Sequence, residues 1–313
     1  MRISVVIPSA PEDELRVVES LKRQKEKIGQ VVVVRGRNTS KNRNRGGRAA
    51  REDFVAFTNS HSSFPEDWSE NVIKFFELHP EIDIVGGPQL TPEGNSFFGR
   101  TSGYALSSIF GAANVSKRYG LGKLNLSASE TDVTSSNLIC RRVVCENVNW
   151  DEEIYPGEDP KFIADAKKAG FKVAYSPDIV GYNKRRDNFA GLFKQIFKYG
   201  VMRPRKESFS QTIKMPLFLV PFLFVLYLVF LLINIVGNLF LTGNVIGSWG
   251  GSGFGWVLFF PLIAYLLLNI LFSIYESAKN KDLISVLVLP LIFATIHISY
   301  GAGMLGGYLR KFK

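Results

Sequence analysis

The sequence predicts an α/β domain on a doubly wound, mostly parallel sheet, followed by a C-terminal domain of transmembrane helices. Two observations carry this. Apolar runs of strand length alternate with polar helical stretches through the N-terminal part of the chain, the pattern of β-α-β units. Further on, Met215–Tyr275 runs for 61 residues without Asp, Glu, Lys or Arg, and a second uncharged run covers Leu283–Leu309. A bilayer core takes about 20 apolar residues per helix, so the first run fits two crossings and the second fits one.

The first strand is "RISVVIP" (2–8) and the second "QVVVVRG" (30–36), separated by a polar helix around Glu12–Lys27. Unbroken valines suggest strands covered on both faces, hence a parallel sheet. "DFVAFTN" (53–59) is the third strand, reached through a basic helical segment, and "DIVGGPQ" (83–89) is the fourth. "SSNLICRR" (135–142) is a later strand. "PKFIADAKKAGFKVAYSPD" (160–178) is a helix closed by Gly170 and then another strand. The opening "MRISVVIPSA" reads as this first strand and not as a secretory leader, because its apolar core is short and meets Pro8.

Residues 1–214 hold 33 Lys and Arg against 26 Asp and Glu, a net +7. Such a face suits anionic head groups or a phosphorylated substrate, and the membrane segments argue against nucleic acid. Cys140 and Cys145 lack metal-type spacing and read as reduced thiols of a cytoplasmic domain.

In residues 188–206 ("NFAGLFKQIFKYGVMRPRK") Phe189, Leu192, Phe193, Ile196, Phe197 and Val201 recur at helical spacing among Lys194, Lys198, Arg203, Arg205 and Lys206. A basic amphipathic helix here either lies in the head-group plane or packs on the soluble domain. The expected organisation is a domain over 1–187, a basic interfacial segment over 188–214, and a transmembrane domain over 215–313. Its three helices lie at about 215–241, 254–275 and 283–305.

The basic segment before Lys214 places the soluble domain on the cytoplasmic side, making the chain a multi-pass integral membrane protein. The loop 242–253 is uncharged, as an outside loop should be, and "ESAKNKD" is charged, as an inside loop would be. Three crossings then leave the basic end "RKFK" outside, against the rule. Gly303-x-x-x-Gly307 permits close helix packing, and His297 reads as a helix-packing histidine.

"VVIPSAPEDEL", "VVVVRGRNTS" and "FVAFTNSHSSFPEDW" at the first three strands resemble family-2 glycosyltransferases of the GT-A fold. "WDEEIYPGEDPKFIADAKKAGFKVAYSPD" (150–178) resembles that family's acidic segment, and "FKQIFKYGVMR" (193–203) is similar to the membrane-anchored succinoglycan-type members. The resemblance implies transfer of one sugar from a nucleotide-sugar donor to a lipid-linked or glycolipid acceptor, with inversion. By resemblance Asp159 is the base that deprotonates the acceptor, and Glu158 meets the acceptor or braces the loop. Donor-binding positions fall at the strand ends: Pro8, Ser9, Ala10, Glu12, Arg35, Arg43, Asn59 and Gly87.

Departures from the family pattern are equally informative. The second strand ends Arg35-Gly36-Arg37 where the family has an Asp. The third ends Asn59-Ser60-His61 where the family has the metal-holding Asp-x-Asp, and a late His is replaced by Asn183. One imidazole and two amides suit Mn2+ better than Mg2+, so the implied divalent metal is Mn2+ held at His61 and Asn59. A His61 that only hydrogen-bonds within its loop is the other reading. Residues 35–51 carry seven cations, which either stabilise the leaving diphosphate or face anionic lipid. Arg43-Asn44-x-Gly46 matches the family's Arg-Asn-x-Gly pattern. Two rival functions are a processive polysaccharide synthase, for which the membrane domain is small, and a non-catalytic sugar-nucleotide or glycan binder, against which the retained Gly-Glu-Asp speaks.

Overall fold

The computed structural model describes residues 1–206, 212–213, 215–242 and 254–311, which form two compact units, Met1–Arg185 and Arg186–Lys313. The first is built on a six-stranded sheet of β1 (Ile3–Ser9), β2 (Gln30–Arg35), β3 (Phe54–Thr58), β5 (Ile84–Gly86), β7 (Asn137–Arg141) and β8 (Val173–Tyr175). Its strand order is β2-β1-β3-β7-β5-β8. A second sheet joins β4 (Ser62–Ser63), β9 (Gly181–Asn183) and β6 (Gln89–Leu90), in that order.

β1 is buried along its whole length, and its alternation feeds two cores. Val5 and Ile7 join Phe54, Trp68 and Phe76 on one face, and Val6 joins Val55, Phe57, Trp150 and Phe162 on the other. β2 departs from expectation. It is an edge strand whose burial alternates, with Val31 and Val33 exposed, so its valine run is covered on one face only. The sheet is also not wholly parallel, because β7 runs antiparallel to both β3 and β5. The expected polar helix around 12–27 is a single short helix, α1 (Val17–Lys22).

The helix α2 (Thr39–Ala49) forms from a segment of low helix propensity. Asn38 caps it, its side chain accepting from Lys41 N at 2.9 Å. Gly46 leaves no room for a Cβ against Val6, so α2 sits hard on β1 and turns Arg43 inward. After α3 (Trp68–Leu78), the chain makes α4 (Phe97–Ser107), α5 (Ile109–Ala112) and α6 (Arg142–Asn147). It then makes α7 (Glu158–Lys168), past whose end Gly170 takes φ +93°, a left-handed conformation that favours glycine.

The second unit holds α8 (Phe189–Lys206), α9 (Val220–Thr242), α10 (Phe254–Lys279) and α11 (Leu289–Lys311). Three of these, over Pro216–Phe240, Val257–Lys279 and Leu289–Arg310, are long and apolar enough to cross a membrane. The uncharged connection expected at 242–253 and parts of the 188–214 segment lie outside the described residues. Tyr265 Oη and His297 Nδ1 are 3.0 Å apart, joining α10 to α11.

Candidate active site

Because β1, β2, β3 and β5 run the same way, the ends Pro8–Ala10, Arg35–Gly36, Asn59–His61 and Gly87 gather at one edge of the sheet. Loops at the carboxyl ends of such strands are where a doubly wound sheet binds ligands. The first loop is cross-braced. Arg35 Nη1 donates to Ser9 Oγ (3.0 Å), Ala10 O (2.9 Å) and Asp13 O (2.7 Å). Asp13 Oδ2 accepts from Ala10 N (3.1 Å) and from Ser60 Oγ (3.2 Å), tying this loop to the one after β3. Pro8 and Ser9 are buried at the strand end, whereas Glu12 points outward and pairs with Arg37 at 3.2 Å. Asp13 had no sequence signal, since nothing in "PEDE" tells the acid that joins the two loops from its neighbours.

Gly87 sits against the Ile179 carbonyl and the Asn137 side chain, where no Cβ fits. Asn137 is a buried hub also missed in the sequence. Its Nδ2 donates to Ile179 O at 2.7 Å, and its Oδ1 accepts from Trp68 Nε1 at 3.0 Å. Ser62 pairs in register with Asn183, so the positions standing for the family's acid-x-acid and late His do come together. Asn183 Nδ2 is 3.4 Å from Gln89 Oε1.

The donor set at Asn59–Ser60–His61 does not fit a divalent metal held by the protein. His61 is exposed, the loop supplies no carboxylate, and among the described residues no group of three or more His, Cys, Asp or Glu converges. A hard or borderline ion would face one imidazole and amide oxygens.

The acids at the start of α7 are the opposite case. Glu158 is buried, with Oε1 accepting from Arg43 Nη1 at 2.9 Å and Oε2 from Gly157 N at 2.8 Å. Asp159 Oδ1 lies 3.7 Å from the same Arg43 nitrogen. Arg43 is itself 3% exposed and stacks over Trp150, its guanidinium carbon 4.7 Å from the ring centroid. Asn44 holds Trp150 through both backbone groups, donating to its O (2.9 Å) and accepting from its N (2.8 Å). Arg43 thus faces the two acids and not an open phosphate site, a placement different from the one the basic segment suggested. Of the other cations, Arg37, Lys41, Arg45, Arg48 and Arg51 are exposed.

The two carboxyls are pushed in opposite directions. Burial raises Glu158, the Asp159 charge adds to it, and Arg43 only partly offsets them. Burial also opposes ionisation of Asp159, but Arg43, hydrogen bonds from Ser135 and the charge of Arg118 outweigh it and lower the pKa. Ser135 stands two residues before Asn137, which registers with Thr58 at the end of β3, so Asp159 belongs to the same sheet edge. A half-buried, ionised carboxylate beside that edge is equipped to take a proton.

Residues 5–148 match the profile described as Glycosyl transferase family 2. No curated protein matches the chain. Among solved structures, the mannosyltransferase PcManGT from Pyrobaculum calidifontis, in complex with GDP-Man and Mn2+, is similar with a TM-score of 0.54. It shares 12% identity, over 96% of this chain and 86% of that one. S. aureus TarS 1–349 in complex with UDP-GlcNAc gives a TM-score of 0.44 at 12% identity, over 99% of this chain and 92% of that one. Residues 5–148 thus carry the Glycosyl transferase family 2 match on a sheet of GT-A type, which supports a glycosyltransferase.

Proposed function

We propose that this protein is a membrane-bound inverting glycosyltransferase that moves one sugar from a nucleotide-sugar donor to a lipid-linked or glycolipid acceptor. The observation that carries the reading is the Arg43–Glu158–Asp159 cluster, in which one carboxylate is kept ionised beside the ligand-binding edge of the sheet. Asp159 takes the proton of the acceptor hydroxyl as its oxygen attacks the anomeric carbon. The bond from that carbon to the diphosphate oxygen breaks on the opposite side, and the nucleoside diphosphate leaves with the electron pair. Glu158 braces the loop by accepting from Gly157 N and from Arg43.

The acceptor class rests on the membrane helices. A catalytic domain tethered to a bilayer meets a lipid-borne hydroxyl at high effective concentration, which favours such acceptors over free sugars. The basic residues near α8 support a cytoplasmic catalytic domain. No metal step is assigned, because the Asn59–His61 loop does not fit one.

The test is sugar transfer by detergent-purified protein from a panel of nucleotide sugars to polyprenyl phosphates and glycolipids. Extraction of one labelled sugar per acceptor, abolished by Asp159→Asn, is the expected result. Long polymer would favour the processive alternative, and donor binding without transfer would favour the binding protein.

A further inference from the structure

We propose that segment 117–126 of the first unit is a membrane-contacting loop, whose leucines rest at the head-group boundary of an anionic bilayer. The proposal rests on the reading of the chain as membrane-bound and is independent of the reaction.

The tip of this loop is braced from beneath. Leu121 stands between two glycines that one hydroxyl holds: Gly122 N donates to Tyr175 Oη at 3.1 Å, and Tyr175 Oη donates to Gly120 O at 3.2 Å. The Tyr175 ring belongs to the core that contains Phe162 and Val173, and a Cβ on Gly122 would press on that ring. Asn125 exchanges both backbone hydrogen bonds with Tyr175, at 3.0 and 2.8 Å. On this support Leu121 is 69% exposed, and Leu124 and Leu126, on either side of Asn125, are 49 and 41% exposed. Ile109, 62% exposed, stands two residues beyond Ser107, against which Gly120 packs. Single exposed apolar residues are ordinary, but a cluster of them on a braced segment marks a contact surface.

The charge of the segment identifies what covers it. No Asp or Glu stands between Glu93 and Glu130, whereas Arg100, Lys117, Arg118 and Lys123 do. Lys117 and Lys123 are exposed, Lys117 reaching Asp132 at 3.5 Å. Apolar side chains interleaved with lysines suit the boundary of head groups and acyl chains, where cations meet anionic lipid. The chain also carries three helices long and apolar enough to cross a membrane, which supply the bilayer such a loop requires.

The loop belongs to the edge of the sheet that binds ligands. Tyr175 ends β8 and registers with Gly86 at the end of β5, so the strut under Leu121 rises from that edge. Arg118 Nε donates to the Thr131 carbonyl at 3.0 Å, and the Arg118 charge favours the carboxylate of Asp159. A bilayer met by this loop therefore meets the edge where Asp159 stands, and lipid-borne hydroxyls are concentrated there.

Benzoylphenylalanine in place of Leu121, Leu78 or Leu232 tests this, in the full chain reconstituted into vesicles of phosphatidylcholine and phosphatidylglycerol and irradiated. All three are exposed leucines. Leu78 ends α3 ahead of β5, at the opposite edge of the sheet, and Leu232 lies in α9. The probes at 121 and 232 are expected to gain the mass of one phospholipid, and the probe at 78 is not. Leu124→Glu should remove most of the adduct at 121 and leave that at 232, because anionic lipid repels an acid on the loop. The proposal is overturned by a probe at 121 that stays free of lipid like the one at 78, or that couples to a second copy of the chain instead. An adduct at 121 unchanged by Leu124→Glu overturns it too. Absence of lipid at 232 as well would overturn the membrane reading and the proposal with it. None of these readouts needs turnover, so failure of the proposed reaction is scored separately.

Discussion

Two acidic positions of the family pattern meet at one sheet edge, and the chain treats them in opposite ways. After β3 the acids are gone, His61 is exposed, and Ser60 Oγ joins the loop to Asp13. At the start of α7 both acids remain, and Arg43, Trp150, Asn44 and Ser135 are arranged around them. A buried carboxylate with a second one beside it is unfavourable unless a cation compensates them, and here Arg43 is buried with Glu158. In the proposed reaction the chemistry is anchored at α7, and the β3 loop is open to replacement. Asp159→Asn gives the largest expected effect, a loss of about 10²–10⁴-fold in kcat with donor affinity retained, because a base acts only in the transition state. Turnover near the wild-type rate would remove Asp159 from that role.

Arg43 sharpens the same contrast. Arg43→Ala leaves the buried Glu158 and the half-buried Asp159 without their cation and should cost about 3–5 kcal/mol of stability, measured by chemical denaturation. The pH profile separates this loss from a kinetic one. In the proposed reaction Asp159 acts as the carboxylate, and its pKa lies below the ordinary aspartate value, so kcat should hold at pH values where an ordinary aspartate is half protonated. Arg43→Gln removes the attraction that outweighs burial, so the pKa rises and the acid limb of kcat moves to higher pH. Arg43→Lys should restore part of that shift. An acid limb at the same pH in all three proteins would sever the link.

Much of this was legible in the sequence, for identifiable reasons. The β1 and β3 runs and the uncharged helices show because burial on both faces or in lipid leaves an unbroken apolar signal. The direction of β7 was not legible, since strand polarity depends on where the chain re-enters the sheet after the 97–136 excursion. The valines of β2 misled because an edge strand can keep β-branched residues on its open face. Glu158 and Asp159 stood out through the resemblance of Gly-Glu-Asp to the family's acidic segment, and Arg43 through Arg-Asn-x-Gly, but their pairing did not. The pairing of Arg43 with residues 115 positions away depends on the seating of α2 against Val6, which no local pattern encodes.

The cations of α8 offer a milder comparison. Lys194 and Lys198 are exposed, whereas Arg203 lies over the Phe218 ring at 3.9 Å and reaches Met215 Sδ at 3.3 Å. Neutralising both lysines should weaken binding to anionic vesicles by about 1 kcal/mol per cation, with little change in thermal stability. Arg203→Ala should do the reverse, lowering stability more than vesicle binding. Equal vesicle losses from the lysine pair and from Arg203 would erase the distinction.

The smallest effect belongs to the β3 loop. If its acids were lost because no protein-held ion is needed there, His61→Ala should lower kcat far less than Asp159→Asn does. Chelator should then alter donor affinity little. Asn59→Asp makes the contrast decisive, because a carboxylate placed there acts in opposite directions in the two cases. Without an ion it repels the donor diphosphate, and donor binding weakens. With an ion it supplies the missing hard ligand, and binding in Mn2+ tightens. The geometry around Asn59 favours the first outcome: among the described residues there is no convergent set of acids and imidazoles for a new carboxylate to complete. Donor affinity measured for wild type and Asn59→Asp, each with Mn2+ and with chelator, gives the sign directly. Tighter binding of the variant in Mn2+, together with a wild type that loses its donor on chelation, would return the ion to this loop and make His61 its ligand.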